Sequence, residues 1–462
     1  MTHRFDPTSL REYDIRGIVG QTLGTADATA IGRGFATCLR RAGGTRVAVG
    51  FDGRTTSPEL ERALIDGLTA SGVDVVRIGL GPTPMLYYAE ATLEVDGGIQ
   101  ITGSHNPAEY NGFKMVLQHR PFFGDDIQGL GRMAETGDWE DTDTPGTVTD
   151  ADVIDDYVAR LMVGYAGGAY RIGWDAGNGA AGPVIEKLVK LLPGEHHLLF
   201  TNVDGNFPNH HPDPTEEKNL AHLKTLVADK RLDFGLAFDG DGDRIGAIDG
   251  EGRVIWGDQI LSILAEPVLK EVPGATIIAD VKASQALFDR VKELGGEPLM
   301  WKTGHSLIKT KMKETGAPLA GEMSGHIFFA HEYYGFDDAQ YAAVRLIRAV
   351  HMIGRSMTEI RSAMPAFINT PEMRFQVDES RKVAVVDEVL DRLETEGAQV
   401  DRTDGARVTT PDGWWLLRAS NTQDVLVARA EARDQAGLDR LLAMIDDQLA
   451  RSGLARGPQM AH

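Results

Sequence analysis

Three stretches of the chain share one hydrophobic rhythm. Each starts with an apolar run of strand length ending in aspartate, passes through small or polar residues, and continues with helical spacing. They are "RVAVGFDGRTTSPELERAL" (Arg46 to Leu64), "RIGWDAGNGAAGPVIEKL" (Arg171 to Leu188) and "TIIADVKASQALFDRV" (Thr276 to Val291). Pro58 and Pro183 fall where a helix's first turn accepts proline. A second apolar run follows each helix, at Val73 to Gly79, His197 to Val203 and Glu297 to Lys302. A third follows each second one, and there the copies diverge into "GGIQITGSHNP", "FGLAFDGDGDR" and "APLAGEMSGH". Ligands gather beyond the carboxyl ends of strands in open α/β sheets. Three related units facing one cleft would each contribute one loop; three unrelated units would not bring those loops together.

The tail has a different pattern. "AMPAFINTPEM" (Ala363 to Met373), with two prolines, reads as a linker. A strand, a helix near Arg381 to Glu396, a hairpin containing "TTPDGWWLLRAS", and a closing strand and helix from Asp424 to Arg451 come after it. The expected fold class is α/β with four domains around a central cleft. The first three are related α/β/α units with mixed sheets, at 1–150, 151–252 and 253–366. The fourth, at 367–462, is a smaller α+β domain.

Composition changes this picture in three ways. The 47 basic and 68 acidic residues leave a net charge of −21, a field that repels nucleic acid. The same field repels a small anionic substrate, so such a ligand needs local cations or a metal. The single cysteine, Cys38, excludes a disulfide framework. The opening "MTHRFDPTSLREYDIRG" has no apolar leader, and no later run spans a bilayer. A cytoplasmic protein with neither membrane nor nucleic-acid partner is expected.

Chemistry concentrates in the loops. "DGDGDR" sets Asp239, Asp241 and Asp243 at alternating positions with glycines between them. Carboxylates so crowded repel unless a cation neutralises them; the alternative is a charged turn. An EF-hand requires Gly at its sixth position and Glu at its twelfth, where Arg244 and Gly250 stand, so Mg²⁺ fits better than calcium. Ser104, in "TGSHNP", lacks the glycines of a nucleophile elbow, and the adjacent His105 is expected to point away from it. A hydroxyl carrying phosphate beside Lys114, or a structural turn, are the two remaining readings. "GNGAAG" at Gly177 matches a dinucleotide fingerprint, but the sibling units read "GRTTSP" and "VKASQA" there, so close packing explains it equally well. "GEMSGH" offers Glu322, Ser324 and His326 to vicinal sugar hydroxyls, and "RASNTQD" offers Arg418 and neighbouring hydroxyl and amide groups to a phosphate.

Together, "EYDIRG", "TGSHNP", "DGDGDR", "GEMSGH" and "RASNTQD", in this order and over nearly the whole chain, resemble the α-D-phosphohexomutase family. "GEMSGH" with the nearby "YYGFDD" resembles the bacterial phosphomannomutase/phosphoglucomutase branch; phosphoglucosamine mutases tend to carry Gln where Met323 stands. The resemblance implies a phosphoserine at Ser104 and one Mg²⁺ held by Asp239, Asp241, Asp243 and the Ser104 phosphate. Glu322 and Ser324 would hold the sugar's 3- and 4-hydroxyls, leaving the 2-hydroxyl largely unread. Arg418, Ser420, Asn421 and Thr422 would clasp the phosphate that is not transferred. Tyr13, Arg16, Lys114, Arg244, Lys282, His305 and His326 would line the cleft.

The activity implied is interconversion of hexose 1- and 6-phosphates of mannose and glucose through a bound hexose 1,6-bisphosphate. Lys114 and His326 are alternative general bases, with Arg16 expected to depress the lysine. The protein is expected to be a monomer or weak homodimer. Phosphoglucosamine mutase, a magnesium-dependent sugar phosphatase and a non-catalytic phosphosugar-binding protein are the other readings.

Overall fold

The computed structural model describes residues 2–140, 142–421 and 424–456. Its first sheet contains β1 (Ile15–Ile18), β2 (Arg46–Phe51), β3 (Asp74–Leu80), β4 (Gly97–Ile101), β5 (Tyr110–Leu117), β6 (Arg120–Pro121) and β7 (Val148–Asp150). The second holds β8 (Tyr170–Asp175), β9 (Gly194–Leu199), β10 (Phe234–Phe238), β11 (Ile245–Asp249) and β12 (Val254–Ile255). The third holds β13 (Thr276–Asp280), β14 (Glu297–Trp301), β15 (Leu319–Gly321) and β16 (Ile327–Phe329).

One frame recurs in all three sheets, as β3-β2-β4-β5, β9-β8-β10-β11 and β14-β13-β15-β16. Within each, three strands run parallel and the fourth pairs antiparallel. The inner parallel strands are buried runs such as "FGLAF" in β10, as expected of a sheet covered on both faces, whereas the edge strands β9 and β14 are partly exposed. The helices Ser57–Ala70, Gly182–Leu188 and Gln285–Glu293 follow the first strand of each frame, with Pro58 and Pro183 in their first turns. In the second unit, β9 ends at Leu199 instead of Val203, because Phe200 adopts a left-handed φ of 54° that breaks the extended run.

The fourth sheet comprises β17 (Ile368–Asn369), β18 (Met373–Gln376), β19 (Gln399–Asp401), β20 (Ala406–Thr410), β21 (Gly413–Ala419) and β22 (Val425–Ala432). All its pairings are antiparallel, and the helices Glu379–Thr395 and Gln435–Arg451 pack with its core. Part of the linker thus becomes β17, hydrogen-bonded to β22.

Packing divides the molecule unevenly. One continuous apolar core runs through the first three units, joining Leu86 and Tyr87 to Trp174, Phe238, Leu261 and Tyr341. A second core lies within the first unit, around Phe35 and Leu64. The fourth unit has its own core, centred on Trp415, Leu417 and Leu441. Only a small patch, Val281 with Trp414 and Leu416, bridges it to the third unit by apolar contact among the described residues. No described helix is long and apolar enough to cross a membrane.

Candidate active site

The same connection of each repeated frame, between its third strand and its antiparallel fourth, carries chemistry. It holds Ser104 between β4 and β5, the acidic run between β10 and β11, and Glu322 to His326 between β15 and β16. These loops converge. Ser104 Oγ donates to Asp239 Oδ2 at 3.2 Å, and Arg244 forms an isolated β-bridge with His326. Gly240 is required at this approach: a Cβ there would lie 2.5 Å from the Ser104 carbonyl oxygen.

Ser104 sits at φ 50° with its amide bonded to Thr102 Oγ1 at 2.8 Å. That left-handed turn brings its Oγ to 3.1 Å from His105 Nδ1, so His105 does not point away as the sequence suggested. Burial, with Arg244, Arg16 and Lys114 nearby, lowers the His105 pKa well below its usual value. The loop is clamped by Arg54, whose side chain is fully buried and donates to the carbonyls of Ser104, Asn106, Pro107 and Tyr110 at 2.6–2.9 Å. Arg54 has no counterpart among the residues singled out in the sequence; nothing in "FDGRTT" shows that its partners lie 50 residues away.

The three aspartates are fully buried. Lys114 Nζ donates to Asp241 Oδ2 at 2.8 Å and also to Asp243 Oδ2. Burial disfavours the Lys114 charge, but Asp241, Asp243 and Asp239 outweigh it and raise its pKa. The expectation of a depressed lysine is therefore not met in this arrangement. Burial also raises Asp239, with Asp241 and Asp243 adding to it, whereas for Asp241 the Lys114 charge overcomes burial and lowers the pKa. One lysine leaves three carboxylates under-neutralised, and Asp241 Oδ1 and Asp243 Oδ1 are buried without a hydrogen-bond partner. One oxygen from each aspartate lies within a 4.8 Å cluster. Hard oxygen donors, orphaned and so close, fit a divalent cation such as Mg²⁺.

Around this centre, Arg16 Nη1 donates to Asn106 Oδ1 at 2.5 Å and its other arm pairs with Asp14. Arg244 Nε donates to His326 Nε2 at 3.1 Å, while His326 Nδ1 lies 3.0 Å from Asp337 Oδ2. Asp337 also accepts from Lys309 Nζ at 3.0 Å, and the His305 ring stacks on His326 with centroids 5.6 Å apart. Burial and Lys309 lower the His305 pKa well below normal. Glu322 Oε1 accepts from the Gly304 amide at 2.7 Å, and burial raises its pKa. Ser324 shares the same turn, half-buried. Lys282 Nζ is 3.1 Å from Glu372 Oε2.

The fourth unit reaches the cleft through the β21–β22 turn. Arg418 Nε donates to Asp404 Oδ2 at 2.9 Å, its Nη2 is buried without a partner, and Ser420 is buried beside it. Asn421 donates to Tyr13 Oη, which in turn donates to the Thr303 carbonyl at 2.7 Å. Residues of the first, third and fourth units meet there. Thr422 lies outside the described residues.

Family models for phosphoglucomutase/phosphomannomutase match along the chain: α/β/α domain I over 7–140, domain II over 156–252, domain III over 256–367 and the C-terminal domain over 372–448. The chain belongs to the phosphoglucomutase/phosphomannomutase family. It is 43% identical over 445 residues to the phosphomannomutase/phosphoglucomutase of Pseudomonas aeruginosa, covering 96% of each chain. It is 44% identical over 435 residues to a phosphoglucomutase of Neisseria meningitidis, covering 93% of this chain and 94% of that one. A solved phosphoglucomutase/phosphomannomutase family protein from Burkholderia thailandensis superposes with a TM-score of 0.92 at 43% identity, over 98% of this chain and 99% of that one. The phosphohexomutase resemblance and the four-unit α/β fold are thus established for this phosphoglucomutase/phosphomannomutase family member.

Proposed function

We propose that the protein interconverts hexose 1-phosphates and hexose 6-phosphates of mannose and glucose through a phosphorylated Ser104 and a bound hexose 1,6-bisphosphate. The observation that carries this is the Ser104 hydroxyl, 3.2 Å from a buried acidic triad supplied by a different unit. In this proposal the four units divide at 1–150, 151–252, 253–366 and 367–462. All the site loops come from one chain, which suits a monomer or weak homodimer. The lone free cysteine suits the cytoplasm.

Phosphoryl transfer depends on positioning and charge neutralisation more than on covalent chemistry. Asp239, Asp241 and Asp243 would hold Mg²⁺ together with a Ser104 phosphate oxygen. When bound, Mg²⁺ supplies neutralisation of phosphoryl charge at the serine. Arg54 fixes the loop carrying Ser104, and Lys114, Arg16 and Arg244 supply further positive charge. Glu322 and Ser324 orient the sugar by its 3- and 4-hydroxyls, and the unread 2-hydroxyl admits both epimers. Arg418, Ser420, Asn421 and Thr422 seat the distal phosphate; the unpartnered Arg418 Nη2 supports that role. Tyr13, Lys282 and His305 complete the walls.

His326 is the better general base. Asp337 faces its Nδ1 at 3.0 Å and can orient the ring, with Arg244 at the opposite nitrogen. Lys114 is held as an ammonium by its carboxylates. The bisphosphate then turns end over end, offering its other phosphate to the bare serine. A coupled assay on mannose and glucose 1-phosphates tests the scheme. Ser104→Ala should lose about 10³-fold or more in turnover while remaining folded. Near-normal mutase activity in that variant would refute the phosphoserine route.

A further inference from the structure

A cavity of about 740 Å³ lies at the joint of the third and fourth units, lined by none of the candidate site residues above. Trp256, Leu287 and Phe367 give it apolar surface among polar and charged side chains such as Asp258, Glu266 and Arg355, and Arg429 and Glu431 of β22 supply two buried charges. Of the side chains lining it, these two contain buried polar atoms without a hydrogen-bond partner, Arg429 Nε and Glu431 Oε2. Residues two apart on a strand present their side chains to the same face, so an unmet donor stands beside an unmet acceptor. The rest of Glu431 is engaged: its Oε1 accepts from Trp414 Nε1 at 2.9 Å and from the Gln285 amide at 3.1 Å.

Arg429 also reaches the cleft. Its Nη1 donates to the Lys282 carbonyl and contacts Met323 Sδ. Arg407 Nη1 donates to the carbonyls on either side, Val281 at 2.6 Å and Ala283 at 2.9 Å. Arginines of the fourth unit thus hold three consecutive carbonyls of the segment bearing Lys282.

We propose that the cavity binds a small heteroaromatic molecule of the nucleobase type, with an amide edge that accepts from Arg429 and donates to Glu431. A flat base can lay a face against Trp256, Leu287 or Phe367 and meet both orphaned atoms with one edge. The occupant touches helices of the third unit and a strand of the fourth, so it favours the joined arrangement and, through Arg429, the present placement of Lys282. The effect on turnover rests on the mutase proposal; the binding does not.

Calorimetric titration of the full chain with inosine tests the site, because its lactam edge sets N1–H beside O6. Saturable binding is expected at sub-millimolar concentration, and 1-methylinosine, which lacks the donor, should bind at least about tenfold more weakly. Ser262→Trp, which fills the cavity from its wall, should weaken inosine by a similar factor with an unchanged melting temperature. No binding of inosine at millimolar concentration overturns the proposal, as does equal binding of the two nucleosides. Undiminished binding by a folded Ser262→Trp variant overturns the location. Saturating inosine should shift KM for mannose 1-phosphate at least twofold, and an unchanged KM overturns the coupling. If inosine binds as described to a chain without mutase activity, the mutase proposal fails and this site stands.

Discussion

The acidic loop and the β21–β22 turn serve one cleft but are built in opposite ways. Around the loop, three units share one continuous core, and three fully buried carboxylates face a single lysine. The turn belongs to a unit with its own core, joined to the third by a small apolar patch and by arginine contacts to backbone. Charge is concentrated in the part with the continuous core, and the proposed phosphate seat rides on the part with the smallest apolar joint. The proposed bisphosphate, which would have to turn over, needs both, a fixed centre for bond making and a clasp that can release.

The largest effect expected from breaking this contrast is at the fixed centre. Asp239→Asn should lower turnover about 10²–10³-fold, while the melting temperature stays level or rises because burial and the neighbouring Asp241 and Asp243 already disfavour the Asp239 charge. A parallel fall in stability would show that the triad is structural. Next comes the fourth unit's core. Trp415→Ala, at a fully buried position, should cost about 3–5 kcal/mol and separate melting of that unit from the other three in calorimetry. A single cooperative transition would argue against its independence.

Much of this contrast is legible in the sequence. Apolar runs ending in Asp52, Asp175 and Asp280 mark the repeated frames, and glycine-spaced aspartates mark the acidic loop. These signals are local, set by strand and helix periods and by close backbone approach. Residues whose meaning lies in distant partners are not legible. Arg54 clamps carbonyls from Ser104 to Tyr110, Thr83 donates to Asp241 Oδ2 at 2.5 Å, and Asp337 gathers Lys309 and His326. The orientation of His105 is missed because it depends on one left-handed φ at Ser104, and the end of β9 because it depends on Phe200.

Smaller effects sharpen the comparison at the proposed clasp. Arg418→Ala should raise KM for hexose phosphates about 10–100-fold, the worth of charge-assisted hydrogen bonds, with a lesser change in kcat. An unchanged KM would remove the turn from phosphate binding.

The smallest effect lies in the fixed part. Burial works against His210 protonation, but its hydrogen bond to Asp175 and that carboxylate's charge outweigh it and raise the pKa. A folded pKa above the unfolded value of about 6.5 means that this stabilisation is complete below that pH and is lost as pH rises through the folded value. Urea midpoints at pH 6 and pH 8 should therefore differ less in His210→Gln than in the parent. An equal difference in both proteins would remove His210 from the account.

The whole scheme turns on whether the serine of the first unit truly carries the travelling group. Intact-mass and peptide analysis after incubation with glucose 1,6-bisphosphate and Mg²⁺ asks this directly. The account predicts one phosphoryl group, located on Ser104 and discharged by mannose 1-phosphate; turnover without any phosphate on Ser104 would contradict it.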